Sequence, residues 1–193
     1  MMNERGSTAQ TSTEREQELV DSLLLFDAAA WRELFEANYQ RVYRYAYVRL
    51  GNAADAEDVA AGVFSEAVKN IRGFQYRGIP IAAWLFRIAH HETVDVLKRR
   101  QLSPQAQADD LGAEHHELIR AIDRLDLSEA MDQLKAEHRD VLVLRFIEDR
   151  SVRDTAEILG KSEGAVKVLQ LRALRSLRTR IGGASDDRSA RAS

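Results

Sequence analysis

The chain has 193 residues, 45% hydrophobic and 31% charged, with two prolines, ten glycines and a net charge of −3. That balance argues against disorder and against a strand-rich sandwich and suits a helix-rich soluble protein. No window of about 18 apolar residues is available for membrane insertion, and the absence of cysteine excludes disulfides and thiolate metal sites and suits a reducing cytoplasm.

Residues 1–18 are polar, lack the apolar core of a secretory signal and are expected to form a disordered tail. A first helical block is expected over 19–100. Leu19 to Phe26 opens it, and Asp27 is placed to cap a helix carrying Trp31, Leu34, Phe35, Val42, Ala46 and Val48 at three-or-four spacing. Gly51-Asn52 ends that helix. The next starts near Ala54, carries Val59, Val63, Ala67 and Ile71 at i+4 spacing and stops near Gly73. After the loop "FQYRGIP", a helix from Ile81 to Arg100 turns Trp84, Leu85, Ile88 and Val96 inward and ends in three basic residues, which suit its C-terminus. Residues 101–117, with a proline, a glycine and several charges, read as a flexible linker. The second block covers 118–181. Leu118, Ile122, Leu125 and Leu134 share one side of its first helix, and Val141, Leu142, Leu144 and Phe146 follow. Residues 182–193 are expected to be a disordered tail. The fold class is therefore all-α, two helical domains joined by a linker.

Charge is unevenly spread. Arg150 to Arg180 holds eight basic and three acidic residues, whereas Asp109 to Asp132 holds eight acidic residues and two arginines. The first segment suits a polyanion. Within it, Ala156, Gly160, Val166 and Leu169 have the spacing of a helix-turn-helix, with Ser162 as N-cap of the second helix. Lys161 departs from that pattern, standing where an apolar residue is often buried. A packed helical pair with a basic rim is the competing reading of the same residues.

Taken together, "LGNAADAEDVAAGVFSEAVKNIRGF" and "RGIPIAAWLFRIAHHETVDVLKRR" resemble region 2 of sigma-70 family sigma factors, and "LDLSEAMDQLKAEHRDVLVLRFIEDRSVRDTAEILGKSEGAVKVLQLRALRSLR" resembles region 4. The two blocks with only a short linker between them resemble the extracytoplasmic-function (ECF) subfamily. The resemblance implies a factor that binds the β and β′ subunits of core RNA polymerase and directs promoter-specific initiation. It implies that Asp55, Glu57, Asp58 and Val59 dock on the β′ clamp helices, and that residues near Val141 to Glu148 meet the β flap tip. It implies that Arg72, Phe74, Tyr76, Arg77 and His91 hold the −10 element as an unpaired strand. Ser162, Glu163, Lys167, Gln170, Leu171, Arg172 and Arg175 would read the −35 element. His91 stands where the family commonly has Asn, so the base preference tied to Asn does not transfer.

No nucleophile–base set, phosphate-cradling glycine loop or metal cluster is evident, so neither an enzyme nor a cofactor is expected. His90 and His91 point about 100° apart on a helix and are not expected to share a metal. Leu171 and Leu174 exceed one inward stripe. They either form part of a face covered by an anti-sigma factor or pack on the helix of Leu118 to Leu134. The alternatives for the whole chain are a helix-turn-helix regulator acting without polymerase, and a sigma-like interaction module that has lost promoter reading, for which His91 and Lys161 are the pertinent departures.

Overall fold

Asp27 Oδ1 accepts the N–H of Ala30 at 2.8 Å, satisfying a donor that a helix N-terminus leaves without a partner. The helix it starts is the second of four in the first unit of the chain. The computed structural model describes residues 4–102 and 130–191, with side chains for 13–102 and 130–181. It falls into two units, one built on the helices before residue 106 and the other on those after 107. All regular structure among the described residues is helical.

In the first unit, α1 spans Glu4–Leu24, α2 Ala28–Leu50, α3 Ala53–Asn70 and α4 Ile81–Leu102, with a 3-10 turn at Ile71–Gly73 after α3. Val59, Val63, Ala67 and Ile71 form one buried stripe, and Leu34, Val42, Tyr45, Ala46, Leu85 and Phe86 fill the core from α2 and α4. Tyr45 meets Phe86 edge-on at 5.7 Å, a favoured aromatic geometry. Alanines 46, 56, 60, 67 and 89 are fully buried, so the helix backbones approach closely without a cavity. Gly51 closes α2 with φ of 64°, the left-handed conformation that glycine adopts without a Cβ clash.

α1 begins fifteen residues before Leu19, inside the segment expected to be a disordered tail. Val20 and Leu23 are buried against the bundle, and once that turn is anchored, helix propagation adds one hydrogen bond for each residue fixed. At the other end, the last helix runs to Arg191 through the segment expected as the C-terminal tail. Gly182 and Gly183 disfavour helix by about 1 kcal/mol each, but each added turn satisfies its own backbone groups.

The second unit comprises α5 at Ala136–Leu142, a π-helical turn at Val143–Ile147, α6 at Val152–Leu159 and α7 at Glu163–Arg191. Val141 to Leu144 are buried, as are Leu134, Ile158, Val166 and Ala173. The extra residue of the π turn shows in the Glu148 N–H, which donates to the Val143 carbonyl at 2.9 Å. Most of the linker 101–117, and Leu118, Ile122 and Leu125, lie outside the described residues; Gln101 and Leu102 extend α4.

Candidate nucleic-acid interfaces

The first unit offers a groove of about 320 Å³ lined by Glu66, Asn70, Trp84, Arg87, Ile88, His91 and Glu92. The loop after the 3-10 turn brings Phe74 against Trp84, their rings 5.1 Å apart and tilted by 44°. Trp84 is half-buried, not a core residue as its spacing suggested. It sits in the first turn of α4 and meets Phe74 of the loop, while Ile81, Ala83 and Leu85 beside it are buried. His91 is exposed on the groove wall, while His90 turns inward, its Nδ1 3.0 Å from the Tyr45 hydroxyl. The two histidines therefore have different surroundings.

Of the other expected −10 residues, Tyr76 is half-buried and Arg77 exposed, its Nη2 donating to Gln75 Oε1 at 2.8 Å. Arg72 lies over the Phe26 ring at 5.4 Å. The structure thus places His91 on the groove beside Trp84, which its periodicity assigns to the core, and Phe74 on the Trp84 ring. Its pairing with an aromatic ten residues earlier, across a proline-containing loop, was the available signal.

The acidic run behaves unevenly. Glu57 and Asp58 are exposed on the first turns of α3. Asp55 is ion-paired with Arg100, whose Nη1 also donates to the Leu50 carbonyl at 2.7 Å. Val59 is only 3% exposed and holds α3 from inside, so it offers a partner no surface. This is a correction to its place among docking residues, and it follows from the same i+4 stripe that carries Val63. Similarly, Val141 to Leu144 are core, and Phe146, 57% exposed, is the apolar side chain that this segment presents.

In the second unit, Ser151 Oγ accepts the Asp154 N–H at 2.9 Å and Asp154 Oδ2 accepts the Ser151 N–H at 3.4 Å. This capping box starts α6. Gly160, at φ 61°, ends it in the left-handed conformation, and Ser162 Oγ caps α7 by accepting the Ala165 N–H at 3.2 Å. Lys161 in the turn reaches back to α5, its Nζ donating to Glu137 Oε1 at 2.8 Å. A lysine fits here because its charge stays at the surface while its stem covers the turn.

That hydrogen bond from Lys161, with its positive charge, holds the Glu137 carboxyl below the usual carboxylate range. The pair therefore contributes stability above the ordinary glutamate range and loses it as pH falls through the lowered value. Both side chains are partly exposed, so solvent screening keeps the contribution to no more than about 1 kcal/mol. In Lys161→Ala, an NMR titration should show Glu137 titrating at higher pH than in the parent, with little change in melting temperature.

Along α7, Val166 and Ala173 are buried and Leu169, Gln170 and Leu177 half-buried. Lys167, Arg172, Arg175 and Arg178 are exposed on the other side, with Ser162 and Glu163 exposed at its start. Gln170 turns back into the unit, where its Oε1 accepts from Arg145 Nε at 3.1 Å. That contact braces α7 from behind while the side chain stays half-buried. Leu171 and Leu174 are 52% and 39% exposed. The arrangement presents a basic helix, capped and braced from behind, with apolar side chains among the cations.

Comparison with known proteins agrees with this division. The Sigma-70 region 2 family model matches residues 34–103 and the Sigma-70 region 4 model matches residues 130–179. The ECF RNA polymerase sigma factor BldN of Streptomyces coelicolor is 31% identical over 180 residues, covering 90% of this chain and 68% of the relative. SigD of Mycobacterium tuberculosis, also an ECF RNA polymerase sigma factor, is 30% identical over 185 residues, covering 90% and 87%. Among solved structures, CnrH in complex with the cytosolic domain of CnrY is similar in fold, with a TM-score of 0.70 at 23% identity over 87% of this chain and 97% of that one. The sigma factor RpoE of Bartonella quintana, in complex with the anti-sigma factor NepR, gives 0.64 at 22% identity over 78% and 96%. With both sigma regions matched in order and relatives aligned along most of its length, the chain belongs to the ECF sigma factors of the sigma-70 family.

Proposed function

We propose that this sigma factor divides promoter recognition between its two units, with the residue assignments that follow. The first unit docks on the β′ subunit through Glu57 and Asp58, with Asp55 braced by Arg100. It captures the unpaired −10 strand with Phe74, Tyr76 and Trp84 as stacking surfaces, Arg72 and Arg77 along the backbone and His91 at the groove wall. Unstacked bases gain about 1–3 kcal/mol each on aromatic faces, which offsets the local cost of strand separation. The second unit enters the −35 major groove with the front of α7, where Ser162, Glu163, Lys167, Leu171, Arg172 and Arg175 face DNA, and meets the β flap through Phe146.

The observation that carries this reading is the groove that Trp84 lines with Asn70, Arg87 and His91, with Phe74 against the Trp84 ring. The factor performs no bond chemistry of its own; the polymerase does. An anti-sigma partner fits the exposed Val168, Leu171 and Leu174. They share the face of Lys167 and Arg175, so a protein covering that strip would also mask the cations. One of the similar structures holds such an assembly by its description, the sigma factor RpoE with the anti-sigma factor NepR. Run-off transcription with core polymerase on a promoter library should give factor-dependent starts sharing two elements. Duplex binding by the protein alone with no transcripts would overturn the reading.

A further inference from the structure

We propose that α1 positions the strand-reading loop and that Glu16 is the residue through which it does so. The inference rests on the assignment of Phe74 to Pro80 and the α4 groove to the unpaired strand. α4 begins at Ile81 directly after Pro80, and proline has no side-chain acceptor with which to cap a helix. The Pro80 carbonyl takes the Ala83 N–H at 2.8 Å, which leaves the N–H of the buried Ile81 in need of a partner. Glu16 supplies it: its Oε1 accepts that N–H at 2.6 Å. A carboxylate there also meets the positive end of the helix dipole.

A second tether holds the other end of the loop. Phe26, in the turn after α1 with φ of 58°, carries the Arg72 guanidinium over its ring at 5.4 Å. The 3-10 turn containing Arg72 is closed by the Phe74 N–H on the Ile71 carbonyl at 2.9 Å. The segment from α1 to Phe26 therefore grips both stems of Phe74 to Pro80. Trp84 is three residues past the capped N–H, so fraying of the first turn of α4 would move its ring away from Phe74. Glu16 touches none of the residues assigned to DNA or polymerase contact; it is a positioning residue.

The test uses full-length protein bound to core polymerase and a fluorescent single-stranded oligodeoxynucleotide carrying the −10 sequence selected by run-off transcription. Glu16→Ala should weaken binding of that probe by at least about fivefold, the scale of leaving a buried donor unpaired. Affinity for core polymerase and for a duplex −35 probe should stay unchanged. Amides of 74–84 should exchange faster in the free Ala variant, and Glu16→Gln, which keeps an acceptor oxygen, should restore both readouts. Unchanged probe binding in Glu16→Ala overturns the proposal, as does an equal loss on all three ligands or a Gln variant no better than Ala. Phe74→Ala serves as the control. If it weakens the probe and Glu16→Ala does not, the positioning role alone fails; if neither does, the strand-reading assignment fails and takes this proposal with it.

Discussion

Replacing Trp84 by alanine should lower the affinity of the polymerase-bound factor for an unpaired −10 strand by about 5- to 150-fold, the equivalent of 1–3 kcal/mol of lost stacking. The ring is half-buried and forms one wall of the α4 groove. Its removal takes away a stacking face and also the surface against which Phe74 rests at 5.1 Å. Because Trp84 lies outside the fully buried core, thermal stability should fall by less than the roughly 3–5 kcal/mol of a core tryptophan truncation. Trp84→Phe retains an aromatic face and should recover most of the binding. Binding to duplex −35 DNA should not change, since that contact belongs to the other unit. Fluorescence of a base analogue in the −10 region, followed during open-complex formation, separates these outcomes. Equal loss in the Ala and Phe variants would point to a structural role.

The second large effect concerns α7. Converting Lys167, Arg172 and Arg175 together to alanine should flatten the dependence of log affinity on log salt by about 2.7, at about 0.9 per phosphate contact released. All three side chains are exposed, so the fold should be unaffected and the loss should be largest at low salt. Gln170→Ala is the informative contrast. Its amide faces Arg145 within the unit, so the salt slope should hold while the unit loses a polar brace. A fluorescence-anisotropy titration of the holoenzyme on promoter DNA, repeated across salt concentrations, reads both slopes. An unchanged slope in the triple variant would mean that these cations do not reach phosphates.

How much of this was legible beforehand depends on the range of the interaction. The stripe Val59, Val63, Ala67 and Ile71 is buried as its spacing predicts, and Asp27 and Ser162 cap the helices that follow them. Such features are written within one or two turns of chain. Residues at the margins of helices were read less well. Trp84 has the spacing of a core residue, yet it is only half-buried while its neighbours Ala83 and Leu85 are fully buried. Val59 belongs to the acidic docking run by sequence position and to the core by periodicity, and periodicity prevails. Gln170 lies among basic residues in sequence but is half-buried, its amide oxygen held by Arg145. The π turn at Val143–Ile147 and the Lys161–Glu137 pair depend on how α5 and α7 meet, which no local pattern specifies.

The cap on α4 has a kinetic side as well. Among the described residues, α2, α6 and α7 are capped by a side chain a few residues away and can begin to form as soon as their own sequence is available. The acceptor for Ile81 comes from 65 residues upstream. Closing so long a stretch of chain carries an entropic cost that local caps avoid, and contacts of large sequence separation are associated with slower folding. During synthesis Glu16 emerges from the ribosome well before its partner and must wait for the bundle between them to assemble. The first turn of α4, and the aromatic pair beside it, are thus completed only when the first unit has closed.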